Sequence, residues 1–479
     1  MSEVFDVVVI GAGPAGEVAA GRLGEAGLSV AIVEQELIGG ECSYYACMPS
    51  KALLRPAELL AEVERVPGAR EAVTGALDVG AVLARRDEVI HDLDDSVQLP
   101  WLEQRHVSVV RGPGRLDGER RVRVGERVLE ARQAVVVATG SGAAIPPIPG
   151  LRETAHWTNR EATTAKVVPA RLLILGGGVV GVEMAQAWSS LGSQVPLIEM
   201  LPRLLAREEP FASAQVAEAL RERGVEVRTG AKAAAVRREN GEVIVTLEDG
   251  EDVRGDELLV AVGRRPLTDD LGLETVGLEP GRPIEVDDAM RTLGFDWLYA
   301  IGHANGRVLL THMSKYQART AADRLLGKDV RVREAAHGPL SPRVVFSDPQ
   351  VAAVGHTLES AEQAGLRVRA VDQPTSGNAG GSFYGRNATG TARLLIDEDR
   401  HVLVGATFTG AEVAEFVHAA TIAIVGQVTI DELWHAVPSF PTRSEVWLRL
   451  LETYEAEELS DPGPRAPARP RSAPLARTR

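Results

Sequence analysis

The sequence predicts an α/β protein built from two Rossmann-like domains and a C-terminal α+β domain. Two observations carry this prediction. A strand, glycine turn, helix and strand occur twice in the same order, and the pattern changes to short apolar segments from about Val344. The length of 479 residues suits about three domains of roughly 150 residues each. With 25% charged and 44% hydrophobic residues, the composition is that of a globular protein.

The first repeated unit begins close to the N-terminus. The apolar run Val4–Ile10 predicts a buried parallel strand, and the glycine turn Gly11–Gly16 follows it. A helix to about residue 23 and a strand over Ser29–Val33 then lead to an acidic residue, Glu34.

The second unit repeats this order about a third of the way along the chain. A strand over Arg171–Leu175 leads into the glycine turn Gly176–Gly181, and a helix follows. The next strand, Gln194–Ile198, ends at Glu199, so the acid follows the first glycine at the same distance as in the first unit.

This arrangement is typical of dinucleotide-binding turns. The first glycine permits the tight turn, the second lets a pyrophosphate approach the backbone, and the third packs the helix on the strand. The pyrophosphate then lies at the helix N-terminus, and the acid accepts hydrogen bonds from a ribose. Two such units imply two cofactors that face each other. Glu199 favours NADH over NADPH, and we expect the nearby Arg203 and Arg207 to be solvated surface residues.

The chain has two cysteines, Cys42 and Cys47. A secreted protein of 51.1 kDa held by disulfides would carry more, so we expect a reducing, cytoplasmic compartment. There, a close pair is more often redox-active or metal-binding than structural, although two ordinary buried thiols are the alternative. Two thiolates do not complete a zinc site, so no metal is expected.

The two thiols are expected to differ. Pro49 suits the first turn of a helix, which places Cys47 at or near the N-terminus of that helix. The helix dipole lowers the pKa of a thiol there and favours a thiolate at Cys47. Cys42, on the preceding loop, is the better candidate for exchange with an outside partner.

Charge and hydropathy exclude several functions. The net charge of −15 repels phosphate backbones, so no nucleic-acid partner is expected. No apolar run approaches the roughly 20 residues of a membrane helix, so no membrane partner is expected either. The N-terminus passes directly into a strand pattern without a basic region, and we expect no signal peptide.

Several motifs together point to a known family. They are GAGPAG at 11–16, GGECSYYACMPSK at 39–51, ATGS at 138–141, GGGVVG at 176–181, VGRRP at 262–266, YAIG at 299–302 and FSDP at 346–349. From residue 4 to about 456, the chain resembles the flavoprotein disulfide reductases. This family depends on FAD and a pyridine nucleotide, and it includes dihydrolipoamide dehydrogenase, glutathione reductase and mercuric reductase.

The resemblance implies a role for each candidate residue. FAD would bind at Gly11, Gly13, Gly16 and Glu34, and NADH at Gly176, Gly178, Gly181 and Glu199. Cys42 and Cys47 match the redox disulfide beside the flavin, and Lys51 and Glu183 match an ion pair on the flavin side. Further cofactor contacts are implied at Thr139, Gly140, Gly263, Gly302, His303 and His312, and further catalytic residues at His435 and Glu445.

The resemblance also implies a division into domains. Residues 1–150 and 271–335 would form the FAD-binding domain, and residues 151–270 the NAD-binding domain. Residues 336–460 would form a dimerisation domain, which implies a homodimer. Residues 461–479, rich in Pro and Arg, are predicted to be a disordered tail.

The sequence departs from the family at the C-terminal motif. Members that reduce disulfides carry a proton-shuttling His where this chain has Phe440, in a motif that ends at Glu445. Loss of a general acid–base costs about 10²–10⁴-fold in rate. His435 lies five residues earlier and is a candidate, although we expect that it does not replace the missing base.

Two other departures lie elsewhere in the chain. His303 stands where the family has an Asp that accepts a bond from the flavin ribityl chain, and a neutral His could still accept one. Tyr44 and Tyr45 lie between the cysteines, where smaller residues are usual; they would either line the pocket or simply pack.

These observations predict an FAD-dependent NADH oxidoreductase. Electrons would pass through Cys42 and Cys47 to a small-molecule acceptor, either a disulfide other than lipoamide or a quinone-like compound. Phe440 would offer a stacking surface for an aromatic acceptor. Dihydrolipoyl dehydrogenase is the alternative, and a non-catalytic relative that serves as a binding module is the second. Mercuric reductase is disfavoured because no cysteine follows Cys47.

Overall fold

The N-terminal region forms one mixed sheet with helices on it. The computed structural model describes residues 3–385, 388 and 390–460, so the predicted tail at 461–479 lies outside the described residues. The elements of this region are β1 (Glu3–Ile10), α1 (Pro14–Glu25), β2 (Val30–Glu34), α2 (Gly40–Tyr44), α3 (Cys47–Arg65), α4 (Val79–Val89), α5 (Leu99–Glu103), β3 (Val107–Arg111), β4 (Gly114–Leu116), β5 (Arg121–Val124), β6 (Arg127–Val137) and β7 (Ser141–Ala143).

The second region carries a second parallel sheet and a small antiparallel one. Its elements are α6 (Asn159–Thr164), β8 (Leu172–Leu175), α7 (Val179–Ser190), β9 (Pro196–Glu199), α8 (Pro210–Glu222), β10 (Glu226–Thr229), β11 (Ala233–Glu239), β12 (Glu242–Leu247), β13 (Asp252–Gly255), β14 (Glu257–Val260) and β15 (Arg264–Pro266). The parallel strands lie in the order β10-β9-β8-β14, and β11, β12 and β13 pair in sequence order.

The chain then returns to the first sheet. The next elements are β16 (Leu298–Ala300) and α9 (Thr311–Leu325). The first sheet has the order β3-β2-β1-β6-β5-β4, and β16 joins it in parallel beside β6. Apolar residues from 7–138 and from 271–332 share one core, and α9 packs on α1.

The C-terminal region is an antiparallel sheet flanked by helices. Its elements are β17 (Arg343–Val345), β18 (Gln350–Gly355), α10 (Leu358–Gln363), β19 (Val368–Pro374), β20 (Thr391–Asp397), β21 (Val402–Gly410), α11 (Phe416–Gly426), α12 (Ile430–Leu433) and α13 (Glu445–Ser460). The strand order is β17-β18-β21-β20-β19. The fold class predicted from the sequence is therefore confirmed.

Each of the two parallel sheets carries a glycine turn at the carboxyl end of one of its strands. The Rossmann-type strands β1 and β8 both run into their glycine turns at their carboxyl ends, where ligands of open α/β sheets bind. α3 bridges the two units, because its Leu53 and Leu54 belong to the core of the second sheet. Among the described helices, none has both the length and the apolar character needed to cross a membrane.

Candidate active site

A single large cleft runs past both glycine turns and the two cysteines. Its volume is about 2790 Å³, well above the roughly 300–1,000 Å³ of an ordinary ligand pocket. The predicted site residues that line it are Gly11, Gly13, Glu34, Cys42, Cys47, Lys51, Thr139, Gly140, Gly176, Gly178, Glu183, Glu199, Gly263, Gly302, His303 and His312. The cleft is therefore large enough for two extended ligands.

The glycines of each turn divide into two kinds. A side chain at Gly13 or Gly178 would meet no atom within 4 Å, so the backbone there is open to the cleft. A Cβ at Gly16 would lie 1.9 Å from the Gly11 carbonyl oxygen, and Gly181 is equally enclosed. Gly16 and Gly181 thus allow close packing of helix on strand and do not line the cleft.

The cleft offers unused donors where a dinucleotide would lie. In the described chain, no side chain caps α1 at Gly13 or α7 at Gly178, so the first amides of both helices are free to bind phosphate. The buried Thr139 Oγ1 also lines the cleft, and it has no hydrogen-bond partner among the described residues. Free helix amides and an unpaired buried hydroxyl fit a bound dinucleotide.

Both strand-end glutamates are held against their own glycine turns. Glu34 accepts from the amides of Ala12 and Glu36, each at 2.7 Å, and Glu199 accepts from the amide of Gly177 at 2.5 Å. Burial raises the pKa of Glu34. Each carboxylate is therefore fixed at the edge of the cleft and has lone pairs left for a ribose hydroxyl.

The cysteine pair lies at the junction of two helices. Cys42 is on the five-residue helix α2, so the expectation of a loop there is wrong. The left-handed backbone of Gly39 and Gly40 allows the chain to turn directly into this helix. Cys47 is the first residue of α3, as expected, and its Sγ lies 3.4 Å from Thr311 Oγ1. Both cysteines are free thiols.

The two thiols have opposite acidities. The hydrogen bond from Cys42, together with the Thr311 hydroxyl and the Lys51 charge, lowers the pKa of Cys47 to about 6 against the effect of burial. The hydrogen bond to Cys47 is the largest cause of a raised pKa at Cys42, and burial is the second. The sequence also predicted a lowered pKa at Cys47. That prediction attributed the shift to the helix dipole, whereas the largest cause is the hydrogen bond from the Cys42 sulfur.

Lys51, which is half-buried, and the buried Glu183 form an ion pair at the wall of the cleft. Lys51 Nζ lies 2.8 Å from Glu183 Oε2, and the Glu183 side chain is 4% exposed. Glu183 Oε1 also accepts from the Phe346 amide at 3.0 Å, and Lys51 Nζ lies 4.6 Å from the centre of the Phe346 ring. This cluster ties α3, α7 and the start of the C-terminal region together.

His303 belongs to a second polar chain that lines the cleft. Its Nδ1 lies 2.7 Å from Ser141 Oγ, which accepts from Arg264 Nε at 2.8 Å. Burial, and then the Arg264 charge, lowers the pKa of His303 to about 4. The imidazole is therefore neutral at pH 7, as the sequence-based argument requires. Because Ser141 Oγ already accepts from Arg264, its hydroxyl can donate to Nδ1, which leaves Nε2–H as a donor.

An ion cluster beside Cys42 was not predicted. Glu41 accepts from Arg160 Nε at 2.5 Å and from Asn159 Nδ2 at 2.8 Å, and it lies 3.2 Å from Arg264 Nη2. Burial opposes ionisation of Glu41, but the Arg264 charge and these hydrogen bonds lower its pKa overall. The only sequence signal was the charge of Glu41 inside the cysteine motif.

Three C-terminal candidates lie away from the cleft of their own protomer. His435 and Phe440 are exposed, Phe440 to 76%, and neither lines the cleft. The buried Glu445 begins α13 and contacts the Gly380 amide at 3.4 Å. Within one protomer, the structure does not bring these residues to the cysteines.

Two glycine turns and a thiol pair on one cleft define a redox enzyme that uses two dinucleotides. The model of the pyridine nucleotide-disulphide oxidoreductases matches residues 5–318, and that of their dimerisation domain matches residues 341–450. The chain belongs to this family. Its members are flavoprotein enzymes that use FAD and NAD(P)H, which confirms the predicted family and cofactor classes.

Relatives and solved structures carry different names. The chain is 33% identical to dihydrolipoyl dehydrogenase of Thermus scotoductus, over 95% of this chain and 97% of that protein. It is 32% identical to a mercuric reductase of Shigella flexneri, over 90% of this chain and 78% of that protein. The Escherichia coli flavoprotein disulfide reductase RclA is similar in structure, with a TM-score of 0.82 and 26% identity over 93% and 99%. Mycobacterium tuberculosis LpdA also has a TM-score of 0.82, with 25% identity over 94% and 99%.

Proposed function

We propose that this protein transfers electrons from NADH, through FAD and the Cys42–Cys47 pair, to a small disulfide or quinone. The observation that carries the proposal is the cysteine pair on the wall of the cleft that also holds both glycine turns. The balanced reaction is NADH + H⁺ + RSSR → NAD⁺ + 2 RSH for a disulfide. For a quinone Q, it is NADH + H⁺ + Q → NAD⁺ + QH₂.

The two turns divide the cofactors. We assign FAD to residues 1–150 and 271–335, with its phosphates at Gly11 and Gly13 and Thr139 Oγ1 as a further contact. We assign NADH to residues 151–270, at Gly176 and Gly178. FAD, when bound, accepts a hydride and passes two electrons on. Glu199 accepts hydrogen bonds from the ribose hydroxyls of NADH, and its negative charge repels a 2′-phosphate.

The cysteines share one proton in the reduced protein. Cys42 holds it on Sγ and donates it to the Cys47 thiolate, which agrees with their opposite pKa shifts. With a disulfide acceptor, Cys42 attacks one acceptor sulfur and its proton passes to the departing sulfur, which breaks the acceptor S–S bond and releases the first thiol. The Cys47 thiolate then attacks Cys42 Sγ, which forms the Cys42–Cys47 bond and releases the second thiolate, and this thiolate takes up the proton that the reaction consumes from solvent. The Lys51 ammonium stabilises the Cys47 thiolate until Cys47 attacks.

The residue at position 440 bears on the chemistry of the acceptor. Phe440 has no proton to give, which disfavours lipoamide and favours a quinone or a disulfide with good leaving groups. Dihydrolipoyl dehydrogenase remains the second candidate, because several relatives of about a third identity bear that name. Exposed apolar residues on the C-terminal region support a homodimer. A cytoplasmic location remains a prediction.

Steady-state assays of the purified protein test the proposal. We expect a yellow, FAD-containing protein that reduces quinones and dyes with NADH much faster than it reduces lipoamide. A Cys42→Ser variant should keep flavin reduction by NADH and lose disulfide turnover. Equal or faster lipoamide turnover would establish the second candidate instead. A colourless protein that cannot be reconstituted with FAD would leave only the binding-module alternative.

A further inference from the structure

A buried glutamine ties the turn Gly302–Asn305, which follows β16, to helix α9. This turn lines the cleft with Gly302 and His303, and Gly302 has a left-handed backbone. Gln317 of α9 is fully buried, and its Oε1 accepts from the Gly302 amide at 2.8 Å and from Asn305 Nδ2 at 2.9 Å. One side-chain oxygen therefore holds both ends of the turn.

The other end of the Gln317 side chain determines the protonation of His337. A backbone amide only donates, so the oxygen of Gln317 must face Gly302 and its nitrogen must face away. That nitrogen, Nε2, lies 3.1 Å from Nε2 of His337, a residue that is 8% exposed. Because the amide nitrogen also only donates, His337 Nε2 must accept. The ring is therefore neutral, with its proton on Nδ1.

The surroundings of His337 favour this neutral form. Burial, followed by the Arg307 charge, lowers the pKa of His337, while Asp288 acts in the opposite direction. Arg307 and Asp288 pair with each other at 2.9 Å, and the ring of Tyr316 on α9 lies edge-on to the imidazole, with 6.3 Å between the ring centres. Within residues 3–385, 388 and 390–460, no carboxylate forms an ion pair with His337.

A proton on His337 Nε2 is incompatible with these hydrogen bonds. Two donors, the imidazolium N–H and the Gln317 amide nitrogen, would then face each other. Turning the amide of Gln317 around would instead bring its nitrogen against the Gly302 amide and Asn305 Nδ2, which are donors too. Either arrangement leaves a buried donor without a partner, which is unfavourable. Protonation of His337 therefore weakens the attachment of the turn to α9.

We propose that His337 is a positioning residue for the flavin cofactor: with Nε2 unprotonated, it holds the Gly302–Asn305 turn, through Gln317, in the form that receives FAD. This inference rests on the proposed function, which assigns FAD to the domain that contains this turn. His337 does not line the cleft, so it acts only through Gln317. Since FAD favours the neutral ring, its affinity should fall as the pH falls below about 6.5, where an ordinary histidine begins to be protonated.

The affinity of the apoprotein for FAD, followed by quenching of flavin fluorescence, tests the inference without any turnover. Between pH 7.5 and pH 5, the wild-type Kd should rise about tenfold more than the Kd of His337→Gln, whose side-chain oxygen accepts from Gln317 at every pH. His337→Leu offers no acceptor, so its Kd should be about tenfold above the wild-type value already at pH 7.5. Other groups in the cleft titrate alike in these proteins, so the difference between them reports His337.

Gln317→Glu tests the same contact from the other side. A carboxylate at position 317 accepts both from the Gly302 amide and from a protonated His337 Nε2, so its Kd for FAD should rise less than that of the wild type as the pH falls. This variant also decides the question if both His337 variants fail to fold. His418→Gln, which removes an exposed histidine of the C-terminal region, is the control and should follow the wild type.

The possible outcomes separate this inference from the proposed function. Parallel pH profiles for the wild type, His337→Gln and Gln317→Glu would overturn the inference. So would a His337→Leu protein that binds FAD as tightly as the wild type at pH 7.5. A wild-type apoprotein that binds no FAD at any pH would count against the proposed function itself.

Discussion

A shared hydrogen bond gives two neighbouring sulfurs different acidities. Since the bond from Cys42 is the largest cause of the low pKa of Cys47, the Cys42→Ala change should raise that pKa from about 6 towards the ordinary thiol value. A smaller thiolate fraction at pH 7 then slows alkylation of Cys47 by iodoacetamide. The rate of Cys47 alkylation in the reduced protein, followed by mass spectrometry against pH, measures this change.

Two further variants separate the causes. Thr311→Val removes the weaker hydroxyl contact, so the alkylation midpoint of Cys47 should move in the same direction by a smaller amount. Ser43→Ala lies on the same short helix as Cys42 and should leave the midpoint unchanged. An unchanged midpoint after loss of the Cys42 sulfur would contradict the shared-proton account.

His303 makes stability depend on pH in a defined window. Its pKa in the folded protein is about 4, below the ordinary value of about 6.5, so the unfolded chain takes up the proton first as the pH falls. This contribution is fully present above about pH 6.5 and is lost as the pH falls towards 4. Between pH 7 and pH 4.5, the wild type should lose roughly 2–3 kcal/mol more than the His303→Asn variant.

Thermal unfolding of the FAD-bound proteins at several pH values provides the measurement. The Tm difference between wild type and His303→Asn should change steadily across this window. The exposed His435 serves as the control, and His435→Asn should follow the wild type throughout. Parallel Tm curves for wild type and His303→Asn would show that the pKa of His303 is the same in the folded protein as in the unfolded chain.

At the scale of elements, α6 holds the segment between the cysteines. The carbonyl of Tyr45 accepts from Asn159 Nδ2 at 2.8 Å and from Thr163 Oγ1 at 3.1 Å, and the Arg160 guanidinium lies 4.6 Å from the Tyr45 ring centre. Opening and closing the disulfide needs the two sulfurs at a fixed separation. α6 therefore restrains the segment from which Cys42 must act.

Loosening α6 should be visible without any activity assay. In the Asn159→Ala/Thr163→Val variant, amide hydrogen exchange of the segment 42–47 should be faster because the Tyr45 carbonyl loses both donors. The control is Thr164→Val, since Thr164 donates only to Arg160 within its own helix. Equal exchange rates in the wild type and the double variant would mean that other contacts restrain the segment.

The sequence allowed the local elements to be predicted better than the contacts between them. Patterns within a few residues predict the glycine turns, the start of a helix at Cys47, and the glutamates at the strand ends, Glu34 and Glu199. The small helix at Cys42 did not, because it depends on the left-handed backbone of Gly39 and Gly40. The contact between Glu41 and Arg264 joins residues that are far apart in the chain, and no local pattern indicates it.

At the scale of the whole molecule, the C-terminal region presents an apolar surface. Ile422, Val425, Val437 and Phe440 are all exposed, the last two to 81% and 76%. Apolar residues exposed together on a globular protein mark an interaction surface. With the family's dimerisation domain at residues 341–450, this surface supports contact with a second copy. Phe440, remote from its own cleft, can reach a cysteine pair only across such a contact.

The Phe440→His variant tests both the missing base and the dimer. A His at this position can protonate the leaving thiolate, so we expect disulfide turnover to rise about tenfold, a part of the usual 10²–10⁴-fold contribution of a general acid–base. Quinone turnover should not rise. Phe440→Asn, which is polar but does not titrate near neutrality, is the matched control, and an equal gain with Asn would contradict a proton-transfer role.

The same variant shows where the residue acts. If residue 440 serves the partner's cysteines, a mixed dimer of a Phe440→His/Cys42→Ser subunit and a wild-type subunit should show the increased disulfide turnover. The His then faces the wild-type pair, while the variant's own pair is inactive. If residue 440 instead serves the cysteines of its own subunit, the mixed dimer should reduce disulfides only at the rate of a single wild-type site. Because the single protomer places Phe440 on the exposed surface, outside the cleft, we expect the first result.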